Sequence, residues 1–128
     1  MSDGEHQEGQ TWEAIMSAHK FQLQNLIIIV DYNGLQIEGT TDEVMPLGDL
    51  AQKYRDFGWE VRELDGHDFV QIQEALQWAE RCQAPVALLA RTHLGRGISF
   101  MEDNWKYHDW SGKPDDIDQA RKELSTHL

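Results

Sequence analysis

At 128 residues the chain has the length of a single domain with one hydrophobic core, and its 40% hydrophobic and 27% charged composition is that of a globular protein rather than a disordered one. A formal net charge of −12 argues against a nucleic-acid partner, because phosphate backbones are bound by clustered Lys and Arg. The apolar runs, residues 26–30 among them, fall far short of the ~20 residues needed to cross a bilayer, and the acidic N-terminus has no secretory pattern, so no membrane association and a cytoplasmic location are expected.

Residues 8–22 read as a helix, because Trp12, Ile15, Met16, His19 and Leu23 recur at intervals of three and four and would share a core face. His19 on that face is expected to be a hydrogen-bonded structural histidine. Glu8 and Glu13 lie early in the helix, where the macrodipole favours acids. Residues 26–30 are a β-branched run without alternation, as expected of a parallel strand buried on both faces. Residues 31–43 read as a polar loop containing Gly34 and Gly39. Leu47, Leu50, Ala51, Tyr54 and Phe57 form a second helical stripe, ended by Gly58 in the position of a left-handed cap. Residues 59–64 alternate apolar with charged, as a strand nearer a sheet edge does. Asp68 is placed to cap a third helix with Ile72, Ala75, Leu76 and Ala79 facing inward. The lone Cys82 excludes an intrachain disulfide and reads as a small buried residue on a helix. Residues 86–90 make a third buried strand.

Strand, helix, strand, helix, strand is the order of a parallel α/β sheet with right-handed crossovers. One domain over residues 1–128 is expected, with a functional loop at 92–114 and a C-terminal helix at 115–128; so polar a segment as 92–114 is too long for an idle connection. Ligands of open parallel sheets bind beyond the carboxyl ends of the strands. Asn33 and Leu35, then Gly66-His67-Asp68, then residues 92–97 follow the three strands, so the loops should meet on one rim. Asp3 and Asn33 are suited to Mg²⁺ held against a diphosphate, since magnesium takes a few protein oxygens and leaves the rest of its shell to phosphate and water. The Leu35 carbonyl can supply a third oxygen. Without its flanks, the pair reads more simply as a helix N-cap and an ordinary Asn-Gly turn.

The flanks are Asp3-Gly4-Glu5, Glu8-Gly9-Gln10-x-Trp12-Glu13-Ala14, Asn25-Leu26-Ile27-x-Ile29-Val30-Asp31-x-Asn33 and Gln36-Ile37-x-Gly39. With Phe57-Gly58-Trp59, Asp65-Gly66-His67-Asp68, Thr92-x-x-Gly95-x-Gly97, residues 99–102 and His108, they resemble the thiamine-diphosphate-binding domain of transketolase across nearly the whole chain. The resemblance implies an α/β three-layer sandwich with a parallel sheet, and a reaction that moves a two-carbon ketol unit between sugar phosphates of the pentose phosphate pathway. It implies that Asp3, Asn33 and the Leu35 carbonyl hold Mg²⁺ (or Ca²⁺). Gly4 would let the backbone approach the diphosphate, and His108 would lie near the thiazolium as a catalytic and cofactor-contacting residue. Acids at the positions of Glu8 and Glu13 lie near a subunit contact in transketolases, and this reading stands level with the macrodipole.

In a parallel sheet the Asp3-Gly4 turn should follow a strand, of which only Met1 and Ser2 are available. The fold is therefore expected to be partial and completed by other chains, which would supply the upstream part of the domain and the pyrimidine-binding domain. Three departures stand out: Ser2 in place of the first glycine of Gly-Asp-Gly, Leu94 at a position that varies in the family, and Asp109-Trp110 after His108. The rivals are another thiamine-diphosphate enzyme similar to deoxyxylulose phosphate synthase, and a non-catalytic assembly module keeping the fold. His67 beside Asp68 reads as a strand-end turn with a helix cap, and His6, His93 and His127 as solvent-exposed. Arg91 and Arg96 read equally as phosphate ligands and as members of surface salt bridges, while Trp105 and Trp110 read as the wall of a pocket.

Overall fold

The protein is described by a computed structural model covering residues 1–109 and 113–125. A 3-10 turn at Gly4–Gln7 leads into α1 (Gly9–Lys20) and β1 (Ile27–Tyr32). A small hairpin of β2 (Leu35–Gln36) and β3 (Gly39–Thr40) and the single turn α2 (Thr41–Val44) precede α3 (Leu50–Asp56). Then come β4 (Glu60–Asp65), α4 (Phe69–Ala79), β5 (Val86–Arg91) and, after a long irregular stretch, α5 (Pro114–Ser125).

The sheet is parallel with order β1-β5-β4, in register from Ile27 opposite Val86 and from Glu60 opposite Val86. β5 is central, and all of its residues except Arg91 are buried. The alternation of side chains along a strand divides it between two cores. Ala87 and Leu89 pack with Val30, Ile15 and Ala18 of α1, and Leu50, Ala51 and Tyr54 of α3. Val86, Leu88 and Ala90 pack with Leu64 and with Ala75 and Ala79 of α4. The two crossovers run in opposite directions across the sheet, so a common handedness sends α3 and α4 to opposite faces. The result is the expected three-layer sandwich.

Local chemistry sets the boundaries. Asp68 accepts hydrogen bonds from the backbone N–H groups of Val70 and Gln71 and caps α4 as expected. Gly58 follows α3 at φ +80°, and a Cβ there would meet the His19 ring at 2.3 Å, so both conformation and close approach require glycine. The Trp59 indole donates to the Ile15 carbonyl at 3.0 Å, tying the start of β4 to α1. Burial, with Glu60 nearby, pushes the half-buried Cys82 thiol above its usual range, consistent with a packing role.

The structure corrects several expectations. β1 is a flank of the three-stranded sheet rather than a doubly buried strand, and Ile29 is 49% exposed. The reason is that, among the described residues, α4 is the helix that covers the second face of the sheet. Leu76 faces inward as expected, lining an open apolar pocket with Ile29, Ile72 and Leu88, and is left 36% exposed. On α1, Ala18 rather than Met16, His19 or Leu23 continues the buried face from Ile15. Residues 31–43 are more than a loop. Thr40 and Glu43 exchange side-chain and backbone hydrogen bonds in a capping box for α2, which a Thr-x-x-Glu spacing signals. The strand expected before Asp3-Gly4 is seen as Ser2 in a parallel bridge to Asp31, flanked by hydrogen bonds from Asp31 N to the Met1 carbonyl (2.9 Å) and from Asp3 N to the Asp31 carbonyl (3.1 Å). α5 begins at Pro114, one residue before the expected start, and its expected tail beyond Ser125 lies outside the described residues, as do Trp110 and His127.

Candidate functional site

Asp3 is fully buried, and its two carboxylate oxygens serve two segments. Oδ1 accepts from Gly4 N at 2.7 Å, the capping contact, while Oδ2 accepts from Gly34 N at 2.6 Å, 31 residues away. The second bond joins the Asp3-Gly4 turn to the loop after β1, so Asp3 is more than a local cap. Gly34 adopts φ +73°, the conformation that presents its N–H inward. Burial pushes the Asp3 carboxyl above its usual range, against the opposing pull of the Gly34 and Gly4 N–H groups. A cation would favour the ionised form.

Beside Asp3, the sequence places histidine where the fold needs a buried polar pivot. His6 Nδ1 faces only the carbonyls of Ser2 and Asp3, each at 3.0 Å, so it must carry the proton and donate. Nε2 is then left to accept from the Tyr54 hydroxyl at 2.8 Å. Trp12 donates its indole N–H to the His6 carbonyl at 2.7 Å. His6 is 1% exposed, contrary to the expectation that it faces solvent. A histidine ahead of Trp12 carried no sequence signal of this role, because its partner Tyr54 lies 48 residues away. Ser2 also makes a local exchange, in which its N–H donates to the Glu5 carboxylate at 2.6 Å and its hydroxyl accepts from Glu5 N at 3.3 Å. This is the reciprocal pattern of a Ser-x-x-Glu capping box, visible in the sequence, and it accounts for a serine at that position.

Asn33 Oδ1 accepts from Leu35 N at 2.8 Å, an Asx turn that orders residues 33–35. Gly4, Leu35 and His108 come together along a groove of about 380 Å³ that is also lined by Ser2, Gln7 and Gln36. A Cβ on Gly4 would lie 3.6 Å from the nearest atom, Gln36 Oε1, so the chain's own packing does not call for glycine there. His108 is exposed and closes the 3-10 turn Trp105–Tyr107. Asn33 and Leu35 also face a cavity of about 550 Å³ at the carboxyl ends of β1 and β5, lined by Tyr32, Thr41, Arg91 and His93 among others. Glu8 lies on the rim of the groove, whereas Glu13 is exposed one turn further along α1.

The segment 92–109 is anchored at its base. Thr92 donates its hydroxyl to Asp31, His93 N donates to His67 Nε2 at 2.8 Å, and His93 Nδ1 pairs with the Asp103 carboxylate at 2.9 Å. The Asp65-Gly66 turn approaches closely, with Gly66 N donating to the Arg91 carbonyl at 2.7 Å, and a Cβ on Gly66 would lie 2.5 Å from Thr92 Cγ2. Arg91 pairs with Glu63 at 3.1 Å and stacks over the Tyr32 ring at 3.7 Å, while Arg96 is exposed. Trp105 is partly exposed. Among the described residues, no group of three or more His, Cys, Asp or Glu side chains is arranged to hold a metal. The donors expected from the sequence, the Asp3 carboxylate, the Asn33 amide and the Leu35 carbonyl, are of the hard type that suits Mg²⁺ or Ca²⁺ when phosphate completes the shell.

The family model for the transketolase thiamine-diphosphate-binding domain matches residues 1–127. This chain belongs to that family. The 6-deoxy-6-sulfo-D-fructose transketolase subunit SqwG of a Clostridium species is 44% identical over 110 residues, covering 85% of this chain and 40% of that protein. An apulose-4-phosphate transketolase subunit of Phocaeicola vulgatus is 34% identical over 131 residues, covering 100% and 46%. The chain thus spans less than half the length of these curated relatives. Among solved structures, the transketolase of Campylobacter jejuni superposes with a TM-score of 0.90 at 29% identity over 97% of this chain and 20% of that one. The transketolase of Pichia stipitis in complex with sedoheptulose-7-phosphate gives 0.89 at 29% identity, over 98% and 19%. The transketolase fold of the sandwich and the family's association with thiamine diphosphate follow for this domain. No helix among the described residues is long and apolar enough to cross a membrane.

Proposed function

We propose that the chain is a subunit or segment of a split transketolase, binding Mg²⁺ (or Ca²⁺) with thiamine diphosphate and supporting two-carbon ketol transfer between sugar phosphates of the pentose phosphate pathway. The observation that carries this reading is the buried Asp3 carboxylate, bonded to both Gly4 and Gly34 beside a groove shared by Gly4, Leu35 and His108. Asp3, Asn33 and the Leu35 carbonyl would hold the cation, and Gly4 leaves room for the diphosphate. The bound cofactor supplies the carbanion-stabilising chemistry. His108 would be placed to hydrogen-bond a reacting oxygen or to relay a proton. The segment 92–114 is then the functional loop that carries this histidine.

Other transketolase subunits or segments, among them one carrying the pyrimidine-binding domain, are the proposed partners in the cytoplasm. Two of the relatives are named as transketolase subunits, which supports this arrangement. Glu8 and Glu13 are both exposed, which supports the proposal that they lie at a subunit contact. The rival reading, a non-catalytic assembly module, draws on the serine at position 2, and the Ser2–Glu5 capping exchange gives that residue a local reason instead.

Purification from the native host followed by titration with thiamine diphosphate and Mg²⁺ tests the proposal. Metal-dependent cofactor binding by a complex containing a pyrimidine-domain partner is the expected result. A chain that co-purifies with no such partner and binds no cofactor would overturn it.

A further inference from the structure

We infer that Gln7 and Gln36 form a positioning brace across the groove, setting the separation between the Asp3-Gly4 turn and residues 33–35. The inference rests on the reading of this groove as the cofactor site. Neither glutamine belongs to the proposed cation or proton-transfer set.

The geometry defines the direction of the brace. Gln7 Nε2 donates to Gln36 Oε1 at 2.8 Å and to the Met45 carbonyl at 3.0 Å. A carbonyl can only accept, so Met45 decides which end of the Gln7 amide is nitrogen. Gln7 in turn requires the oxygen of Gln36 to face it. Gln36 Nε2 is then 3.5 Å from Gln7 Oε1, at the limit of a hydrogen bond, and keeps donor capacity for another acceptor in the groove. Three segments are joined in this way: the turn Gly4–Gln7, β2, and the residue that ends α2.

A brace is needed at this point. β2 and β3 pair through Leu35 with Thr40 and Gln36 with Gly39, with Thr41 N donating to the Gly34 carbonyl at 2.9 Å at their base, and so short a hairpin gains from support at its far end. Leu35, whose carbonyl is proposed for the cation, is the residue next to Gln36. On the opposite side, the Gln36 side chain packs on Gly4, with Cβ and Oε1 at 3.8 and 3.6 Å from the position of a Gly4 Cβ. One side chain therefore spaces the backbone proposed for the diphosphate from the backbone proposed for the metal.

The test measures the thiamine diphosphate Kd at fixed Mg²⁺ in the native assembly, for Gln7→Leu, Gln36→Leu, the double variant and the isosteric Gln7→Glu. Each leucine variant is expected to weaken cofactor binding about three- to ten-fold, the worth of a net hydrogen bond. The double variant should be no weaker than the worse single one, because the brace is already lost. Gln7→Glu keeps the shape and loses the donation to Met45, but its carboxylate can still accept from Gln36 Nε2, so its Kd should lie between those of the unaltered chain and Gln7→Leu. Melting temperature and kcat at saturating cofactor should hold, while amide exchange at residues 35–40 rises in Gln7→Leu without cofactor. Unchanged Kd values, or additive losses in the double variant, would overturn the brace. Absence of cofactor binding by the unaltered assembly would instead remove the functional reading, with amide exchange still reporting on the brace.

Discussion

The turn Gly4–Gln7 and the segment 92–109 both contribute residues to the groove, but the first is anchored by buried polar groups and the second by exposed ones. Asp3, His6 and Tyr54 are essentially inaccessible, and among the described residues no buried side-chain nitrogen or oxygen lacks a partner. Buried, fully paired networks specify one arrangement, because each bond lost leaves a costly orphan. The anchors of segment 92–109 are of another kind. The side chains of His93 and Asp103 are 52% and 53% exposed, and Glu123 of α5 reaches Ser99 N and Oγ at 2.6 and 2.9 Å across the surface. Such contacts contribute little each and open at low cost. The proposed metal side is thus built rigid, while the histidine side can adjust to what it meets.

The largest effect should come from breaking the rigid side at its centre. Asp3→Ala orphans the Gly4 and Gly34 N–H groups, so denaturant unfolding should show a loss of about 1–3 kcal/mol. Thiamine-dependent turnover in the native assembly is expected to fall by roughly 100-fold or more, in line with the ~3 kcal/mol or more carried by a metal-orienting group. Retained turnover would remove Asp3 from the proposed site. Next is Tyr54→Phe, which takes the donor from buried His6 Nε2 and should cost about 1–3 kcal/mol of stability with a smaller effect on cofactor affinity.

The same network predicts a pH dependence. Burial lowers the His6 pKa below its usual 6.5, against the pull of the Asp3 and Ser2 carbonyls. Above pH 6.5 the imidazole is neutral in both folded and unfolded chains, and its contribution to stability is fully present. As the pH falls below that value the unfolded chain takes up a proton that the fold resists, so stability declines until the folded pKa is passed. Unfolding free energies measured between about pH 8 and 5 should fall on the acid side, and His6→Asn should flatten that limb; a wild-type profile without the limb would contradict the buried neutral tautomer.

On the exposed side, His93→Ala should change stability by no more than about 1 kcal/mol. If segment 92–109 is adjustable, the variant should alter kcat while leaving the cofactor Kd close to that of the unaltered chain. The smallest folding effect belongs to Glu8→Lys with Glu13→Lys, within about 0.5 kcal/mol for two exposed positions. Their proposed place at a subunit contact predicts weaker assembly, readable by sedimentation, and an unchanged oligomer would assign them to the helix dipole alone.

Much of this arrangement was legible in residue order. The β-branched and apolar runs at residues 26–30 and 86–90, the Gly58 stop and the Asp68 cap are local signals, and local signals are set by neighbours within a few residues. The Ser2–Glu5 and Thr40–Glu43 boxes are of the same type, readable at a spacing of three. What residue order alone did not decide was which strand would be central, since β1 and β5 have similar apolar character and only the crossovers place β5 between its neighbours. Nor did it decide the burial of His6 or the joining of Gln7 to Gln36. Those depend on partners 48 and 29 residues away, and hydrogen bonds across such distances exist only once the sheet has brought the segments together.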